Sequence, residues 1–141
     1  MSSRDTGTGN VLEQMVVPAL NRGGYSLKKQ ADVGTRPGGG KHLVDVVATS
    51  QSGKSILISV KWQQVGGTAE QKVPFEVTCL IKALKNNKSK YEKAYLVLGG
   101  DGWKLRDYYI EGGLEEYLKD TDLVKIITLE SFIALANKGK L

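Results

Sequence analysis

The sequence predicts an α/β domain with a mixed central sheet flanked by helices, and three observations predict it. Apolar runs of strand length alternate with segments whose apolar residues recur at helical spacing. Two of the strands are separated only by Ser50-Gln51-Ser52-Gly53-Lys54, in which Gly53 supplies the turn of a hairpin. Later strands are separated by helical stretches, so the order reads αβββαβαβα, a meander followed by helical crossovers.

Residues 1–8 are small and polar and are expected to be flexible, which leaves residues 9–141 as a single domain. From Asn10, the residues Val11, Leu12, Met15, Val16, Ala19 and Leu20 recur at helical spacing, and Gly23-Gly24 closes that helix. Pro18 removes the hydrogen bond to residue 14 and predicts a kink. Tyr25-Ser26-Leu27-Lys28 reads as the first strand. A loop over 33–41 follows, and Gly38, Gly39 and Gly40 after Pro37 make it mobile and sterically open. Strands are predicted at about 42–49 and 55–62. Polar, glycine-containing residues 63–67 then lead to Thr68, a good N-cap for a helix running to about Lys85. Pro74 predicts a first turn separate from a main helix over 75–84. Residues 95–98 read as a strand and 103–119 as a helix interrupted at Gly112-Gly113. A last strand over 124–128 and a last helix over 129–136 complete the order.

At 141 residues the chain is too short for a separate specificity domain of any size, so target reading falls to loops or to a second subunit. Lys and Arg number 20 against 15 Asp and Glu, a net charge of +5 that suits a polyanionic partner. Cys79, the single cysteine, sits in an apolar run, which excludes a disulfide framework and a zinc cluster. Neither a signal-peptide pattern nor a membrane-length apolar run is present, so an intracellular protein, cytoplasmic or nucleoid-associated, without a membrane partner is expected.

The chemistry concentrates on the hairpin. In Lys41-His42-Leu43-Val44-Asp45-Val46-Val47-Ala48 an aspartate is read as ending one apolar strand, and in Ile56-Leu57-Ile58-Ser59-Val60-Lys61-Trp62-Gln63 a lysine as ending the next. The turn at Gly53 brings Asp45 and Lys61 close together. Charges at the rim of such a hairpin call for a partner, which is either each other as a salt bridge or a divalent metal or phosphate. Ser59, Lys61 and Gln63 share one strand face, where the Gln63 amide can orient water or contact a phosphate.

This arrangement resembles the PD-(D/E)XK nuclease superfamily, whose restriction-endonuclease-like core has the order αβββαβ. Asp45 matches its first acid and Lys61 the lysine of its acid-x-lysine triplet. Glu13, in Gly9-Asn10-Val11-Leu12-Glu13, matches the first-helix acid of many branches, and the resemblance covers roughly residues 9–98. Ser59 departs from the pattern, because it stands where the second acid belongs. Some restriction-enzyme branches carry Ser-x-Lys with the acid displaced to the following helix, which points to Glu76, or less favourably Glu70, while Glu13 is another source of the missing charge. The resemblance thus implies an endonuclease acting on DNA with Mg²⁺ or Mn²⁺, of restriction or homing type, held by Asp45, the Val60 carbonyl and Glu76. Glu13, Asp45, Lys61 and Gln63 are its expected catalytic residues. Two relatives on the same fold stay open, a Holliday junction resolvase and a catalytically inactive DNA-binding module. Cutting both strands with one site per chain implies a homodimer or higher oligomer.

Arg36, Gly39, Gly40, Lys41 and His42 are the expected DNA contacts, because the open loop that carries them leads into the Asp45 strand. A nucleotide-binding phosphate loop is a poor fit, since Thr35 replaces its first glycine and His42 its Ser/Thr. Lys82, Lys85, Lys88, Lys90 and Lys93 form a basic run that can follow a phosphate backbone or simply face solvent.

Overall fold

The structure, a computed structural model, describes the backbone of residues 3–141 and the side chains of residues 7–141; residues 1 and 2 of the expected flexible N-terminus lie outside the described residues. The first helix, α1 (Ser3–Val11), begins earlier than the apolar spacing predicted. Gly7 lets it lie flat on the sheet, since a Cβ there would stand 2.7 Å from Trp62 Cδ1. The kink expected at Pro18 takes the form of a π-helical turn over Leu12–Val16, closed by Val17 N–H donating to the Leu12 carbonyl. Helix α2 (Val17–Arg22) then follows with Pro18 in its first turn.

Five strands form one sheet in the order β1-β2-β3-β4-β5. They are β1 (Ser26–Thr35), β2 (Lys41–Thr49), β3 (Ser55–Trp62), β4 (Tyr91–Gly99) and β5 (Val124–Thr128). The first three pair antiparallel, and β3/β4 and β4/β5 pair parallel. The mixed α/β sheet expected from the sequence is therefore present. Helix α3 (Ala69–Asn86) makes the crossover from β3 to β4. Helix α4 (Arg106–Ile110) and two 3₁₀ turns, Gly113–Glu116 and Thr121–Leu123, make the next. The last helix is α5 (Leu129–Asn137).

Two cores sandwich the sheet. On one face Val16, Leu20 and Phe132 of the terminal helices meet Ile58 and Val97. On the other, Val73, Val77 and Leu80 of α3 meet Leu57 and Leu96. β1 runs on to Thr35 instead of stopping near Lys28, because Ala31 and Val33 join the second core. The expected mobile loop thereby shortens to a tight hairpin, with Arg36 N–H donating to Gly40 O at 2.6 Å and Gly39 N–H to Arg36 O at 2.9 Å. Gly38 and Gly39 adopt φ of 94° and 101° there, a conformation that costs glycine nothing.

Pro74 does not split α3. The carbonyl that it deprives of an N–H is that of Glu70, and the Tyr109 hydroxyl donates to that oxygen at 2.8 Å. The long helix expected over 103–119 is shorter, because Gly112 at φ 90° ends the helical run and 3₁₀ turns follow. Among the described residues no helix is long and apolar enough to cross a membrane.

Candidate active site

The site begins where β2 and β3 part. Their pairing covers Val46 to Thr49 against Ile58 to Ser55. At Asp45 the side chain takes over, its Oδ2 accepting the Val60 N–H at 2.7 Å. β2 also changes face here, because Val46 and Ala48 enter the first core and Val44 the second. A regular strand keeps residues two apart on one face, so the chain must bend between them. Gln30, at φ 51° on the adjoining β1, marks the same irregularity. The fork leaves β3 beyond Ile58 without a β2 ladder partner. Since the N–H and C=O of a strand residue face the same neighbour, the Val60 carbonyl also points towards the fork.

A cleft of about 670 Å³ opens over this fork, lined by Asp45, Ser59, Lys61 and Glu76 with Arg36 and Lys72 at its margin. Helix α3 delivers Glu76 to the place that Ser59 leaves short of an acid. Ser59 Oγ donates to Glu76 Oε2 at 3.0 Å. Lys61 Nζ stands 3.9 Å from Oε1, and His42 Nε2 3.8 Å from Oε2. Burial alone would raise the Glu76 carboxyl, but His42, the Lys61 charge and the Ser59 hydroxyl outweigh it and hold it at about 2, below its ordinary 4.5. Asp45 goes the other way: burial raises its carboxyl above the ordinary 3.8, the Val60 N–H and Lys61 oppose that rise, and the Glu76 charge adds to it.

Two partly buried carboxylates thus line one cleft, Glu76 raising the Asp45 carboxyl and Lys61 opposing that rise. Hard oxygen donors whose charges repel suit a divalent cation such as Mg²⁺, which offsets both. Among the described residues no cluster of three or more His, Cys, Asp or Glu is placed to hold a metal ion, so any ion here needs backbone oxygen and water besides the two acids.

The profile of the PD-(D/E)XK nuclease superfamily domain matches residues 4–140. The chain belongs to that superfamily. No curated protein matches the sequence. Among solved structures, the crystal structure of a protein of unknown function, AF1548, is similar at 14% identity and a TM-score of 0.47, over 80% of this chain and 54% of that one. A repair endonuclease from Pyrococcus abyssi is similar at 13% identity and a TM-score of 0.43, over 91% of this chain and 46% of that one. The chain spans about half the length of each.

Within this PD-(D/E)XK domain the remaining expected site residues lie as follows. Glu13 is not in the cleft; it sits exposed on the π-helical turn with Lys29 Nζ at 2.8 Å, and Thr8 of α1 lines the cleft instead. Gln63 lines the cleft as expected, but both ends of its amide are engaged. It is buried, its Nε2 donates to Gly102 O at 2.8 Å, and its Oε1 accepts the Ala69 N–H at 3.0 Å. It therefore caps α3, a task the sequence assigned to Thr68, whose side chain makes no cap bond. Strand parity led to Gln63 as a site residue, but β3 ends at Trp62 and the alternation with it.

His42 is 1% exposed, so it is not placed to touch DNA as expected. Its parity with Val44, Val46 and Ala48 was the available signal for burial. Glu70 is not the displaced acid either. Its Oε1 accepts the backbone N–H groups of Lys104 and, at 2.6 Å, Leu105, tying α3 to the start of α4. Gly39, Gly40 and Lys41 stay exposed on the hairpin, and Arg36 points its neighbourhood at the cleft. Sequence reasoning missed Lys72, which is Glu76's neighbour one turn earlier on α3.

Proposed function

We propose that this chain is a Mg²⁺-dependent endodeoxyribonuclease of restriction or homing type whose second acid is Glu76. The observation that carries the reading is the Ser59–Glu76 hydrogen bond of 3.0 Å, which sets the acid from α3 beside Lys61 where the strand itself has none. Asp45, Glu76 and the Val60 carbonyl would hold Mg²⁺ or Mn²⁺. Once bound, such an ion acts as a Lewis acid on the scissile phosphate and makes water a better nucleophile at neutral pH.

The chain's own residues do the rest. Lys61, 27% exposed and 3.9 Å from the Glu76 carboxylate, orients the attacking water and offsets the charge that grows on the phosphate. Asp45 would do double duty, bracing the fork through Val60 N–H with Oδ2 while Oδ1, which has no hydrogen-bond partner among the described residues, would turn to the ion. Arg36 and Lys72 flank the cleft as phosphate contacts that position DNA without reading its sequence. One such site per chain cuts one strand, so cleavage of a duplex calls for a homodimer or higher oligomer.

The placement of Glu76 weighs against an inactive module, since a module that only binds has no use for an acid buried against Lys61. Supercoiled plasmid, linear duplex and a four-way junction, each incubated with and without Mg²⁺, test the reading. We expect Mg²⁺-dependent cutting of plasmid and linear duplex, and a loss of at least about 100-fold in turnover for Lys61→Ala, the scale of a missing transition-state charge donor. Cutting confined to the junction would reassign the enzyme to resolvases, and no cutting of any substrate would leave a binding module.

A further inference from the structure

The imidazole of His42 is the one buried polar side chain whose hydrogen-bonding atoms have no partner among the described residues. It is 1% exposed, and neither Nδ1 nor Nε2 makes a hydrogen bond. The next inward position of β2 is Val44 of the second core, so an apolar side chain would suit position 42 without desolvating two ring nitrogens. What the imidazole does face is Glu76, whose Oε2 is 3.8 Å from Nε2.

The two oxygens of Glu76 have different environments. Oε2 already accepts from Ser59 Oγ at 3.0 Å and lies towards His42, while Oε1 lies towards Lys61 at 3.9 Å. Both inward groups therefore address the same oxygen. Nε2 and Oε2 stand 3.8 Å apart, so a displacement of under about 1 Å brings an Nε2–H to hydrogen-bond length.

We propose that His42 is a positioning residue, which with Ser59 clamps Oε2 of Glu76 from behind so that Oε1 is presented to the cleft as a metal ligand. The proposal rests on the reading of Glu76 as a ligand. It assigns the Ser at position 59 a use beyond the absence of an acid: the hydroxyl and the imidazole hold a carboxylate that arrives on a helix and would otherwise be free to turn about its side-chain bonds. Partners of this kind behind a ligand hold its orientation, and losing one weakens metal binding by about 10–100-fold.

The test is Mn²⁺ binding to the whole protein without DNA, followed by electron paramagnetic resonance titration, with melting temperature as the check on folding. His42→Leu fills the space and donates nothing, and His42→Gln carries an amide that reaches the place of Nε2. We expect His42→Leu to raise the Mn²⁺ Kd by about tenfold or more and His42→Gln by no more than about threefold. A folded His42→Leu protein that binds Mn²⁺ as the wild type does overturns the proposal, as does equal weakening in Leu and Gln, which marks packing alone. If His42→Leu fails to fold, His42→Asn replaces it, because its shorter amide occupies the place of Nδ1 and does not reach Glu76. Asn weak and Gln near wild type supports the clamp, and Asn equal to Gln overturns it. Wild type that binds no Mn²⁺, or binding indifferent to Asp45→Asn, removes the metal site itself, a failure distinct from that of the His42 clamp.

Discussion

Asp45 is asked to do two things that conflict. Its carboxylate braces the fork through the Val60 N–H, and it is buried enough that its charged form is disfavoured. The sign of the consequence follows from linkage. A carboxyl raised above its ordinary 3.8 binds its proton more tightly in the folded protein than in the unfolded chain, so stability falls as pH rises from that value through the folded one. Asp45→Asn keeps an oxygen for Val60 N–H and removes the buried charge. At neutral pH it should melt at or above the wild-type temperature while Mg²⁺-dependent cleavage disappears, and a variant that loses activity only by unfolding would contradict this. Glu76 has the opposite sign. Its carboxyl sits at about 2 in the folded protein against an ordinary 4.5, so its stabilising contribution is whole above 4.5 and drains away as pH falls towards 2. Urea midpoints measured across that window should show the wild-type advantage over Glu76→Gln shrinking with acid. Midpoints that stay parallel would mean that the carboxylate is not held by Lys61, Ser59 and His42.

At the scale of elements, the sheet was legible because apolar runs and the Gly53 turn are local signals, and the last strand falls at 124–128 as the alternation predicts. What was not legible depends on partners remote in sequence. Pro74 reads as a helix break, yet α3 is continuous because Tyr109, 39 residues from Glu70, supplies the donor that the proline lacks. Likewise Gln63 reads as a cleft residue with an open amide, and it does line the cleft, but Gly102 and Ala69 take both ends of that amide. At the site, Asp45 of mid-β2, not at a strand end as expected, Lys61 near the end of β3 and Glu76 on α3 are brought together by elements that periodicity locates. Glu13 is carried out of the cleft region by a π-helical turn that no local pattern announces. The Pro74–Tyr109 account makes a double-mutant prediction. Tyr109→Phe should cost about 1–3 kcal/mol by leaving the Glu70 carbonyl buried without a donor. Adding Pro74→Ala restores the helical N–H to that carbonyl, so in that background the Tyr109→Phe loss measured by urea denaturation should shrink. An identical loss in both backgrounds would assign the effect to Tyr109 packing.

For the whole molecule the question is where the net charge of +5 is spent. The basic run from Lys82 to Lys93 looks in the sequence like a surface for a phosphate backbone, but the fold spreads it out. Lys82 holds Thr35 through its carbonyl at 2.7 Å and its hydroxyl at 2.9 Å, and Lys85 pairs with Asp120 at 2.7 Å. Lys90 and Lys93 stand over the rings of Tyr91 and Tyr95. Lys93 aligns with Ile56 and Lys61 with Leu98, so in register Lys93 is roughly 16 Å of strand away from Lys61, at 3.3 Å per residue. Arg36 and Lys72, which line the cleft, are exposed and better placed to meet a phosphate. Each phosphate contact releases counterions, so losing one lowers the slope of log affinity against log salt by about 0.9 on duplex DNA. Arg36→Ala and Lys72→Ala should each lower that slope by about one contact, measured with Mg²⁺ replaced by Ca²⁺ to hold the substrate uncut. Lys85→Ala should leave it where it was, because that lysine is already paired and lies at the far end of α3. A slope that answers to Lys85 and not to Arg36 or Lys72 would put DNA across the opposite end of the sheet, out of reach of Asp45 and Glu76, and the cleft would lose its claim to be where the phosphate is cut.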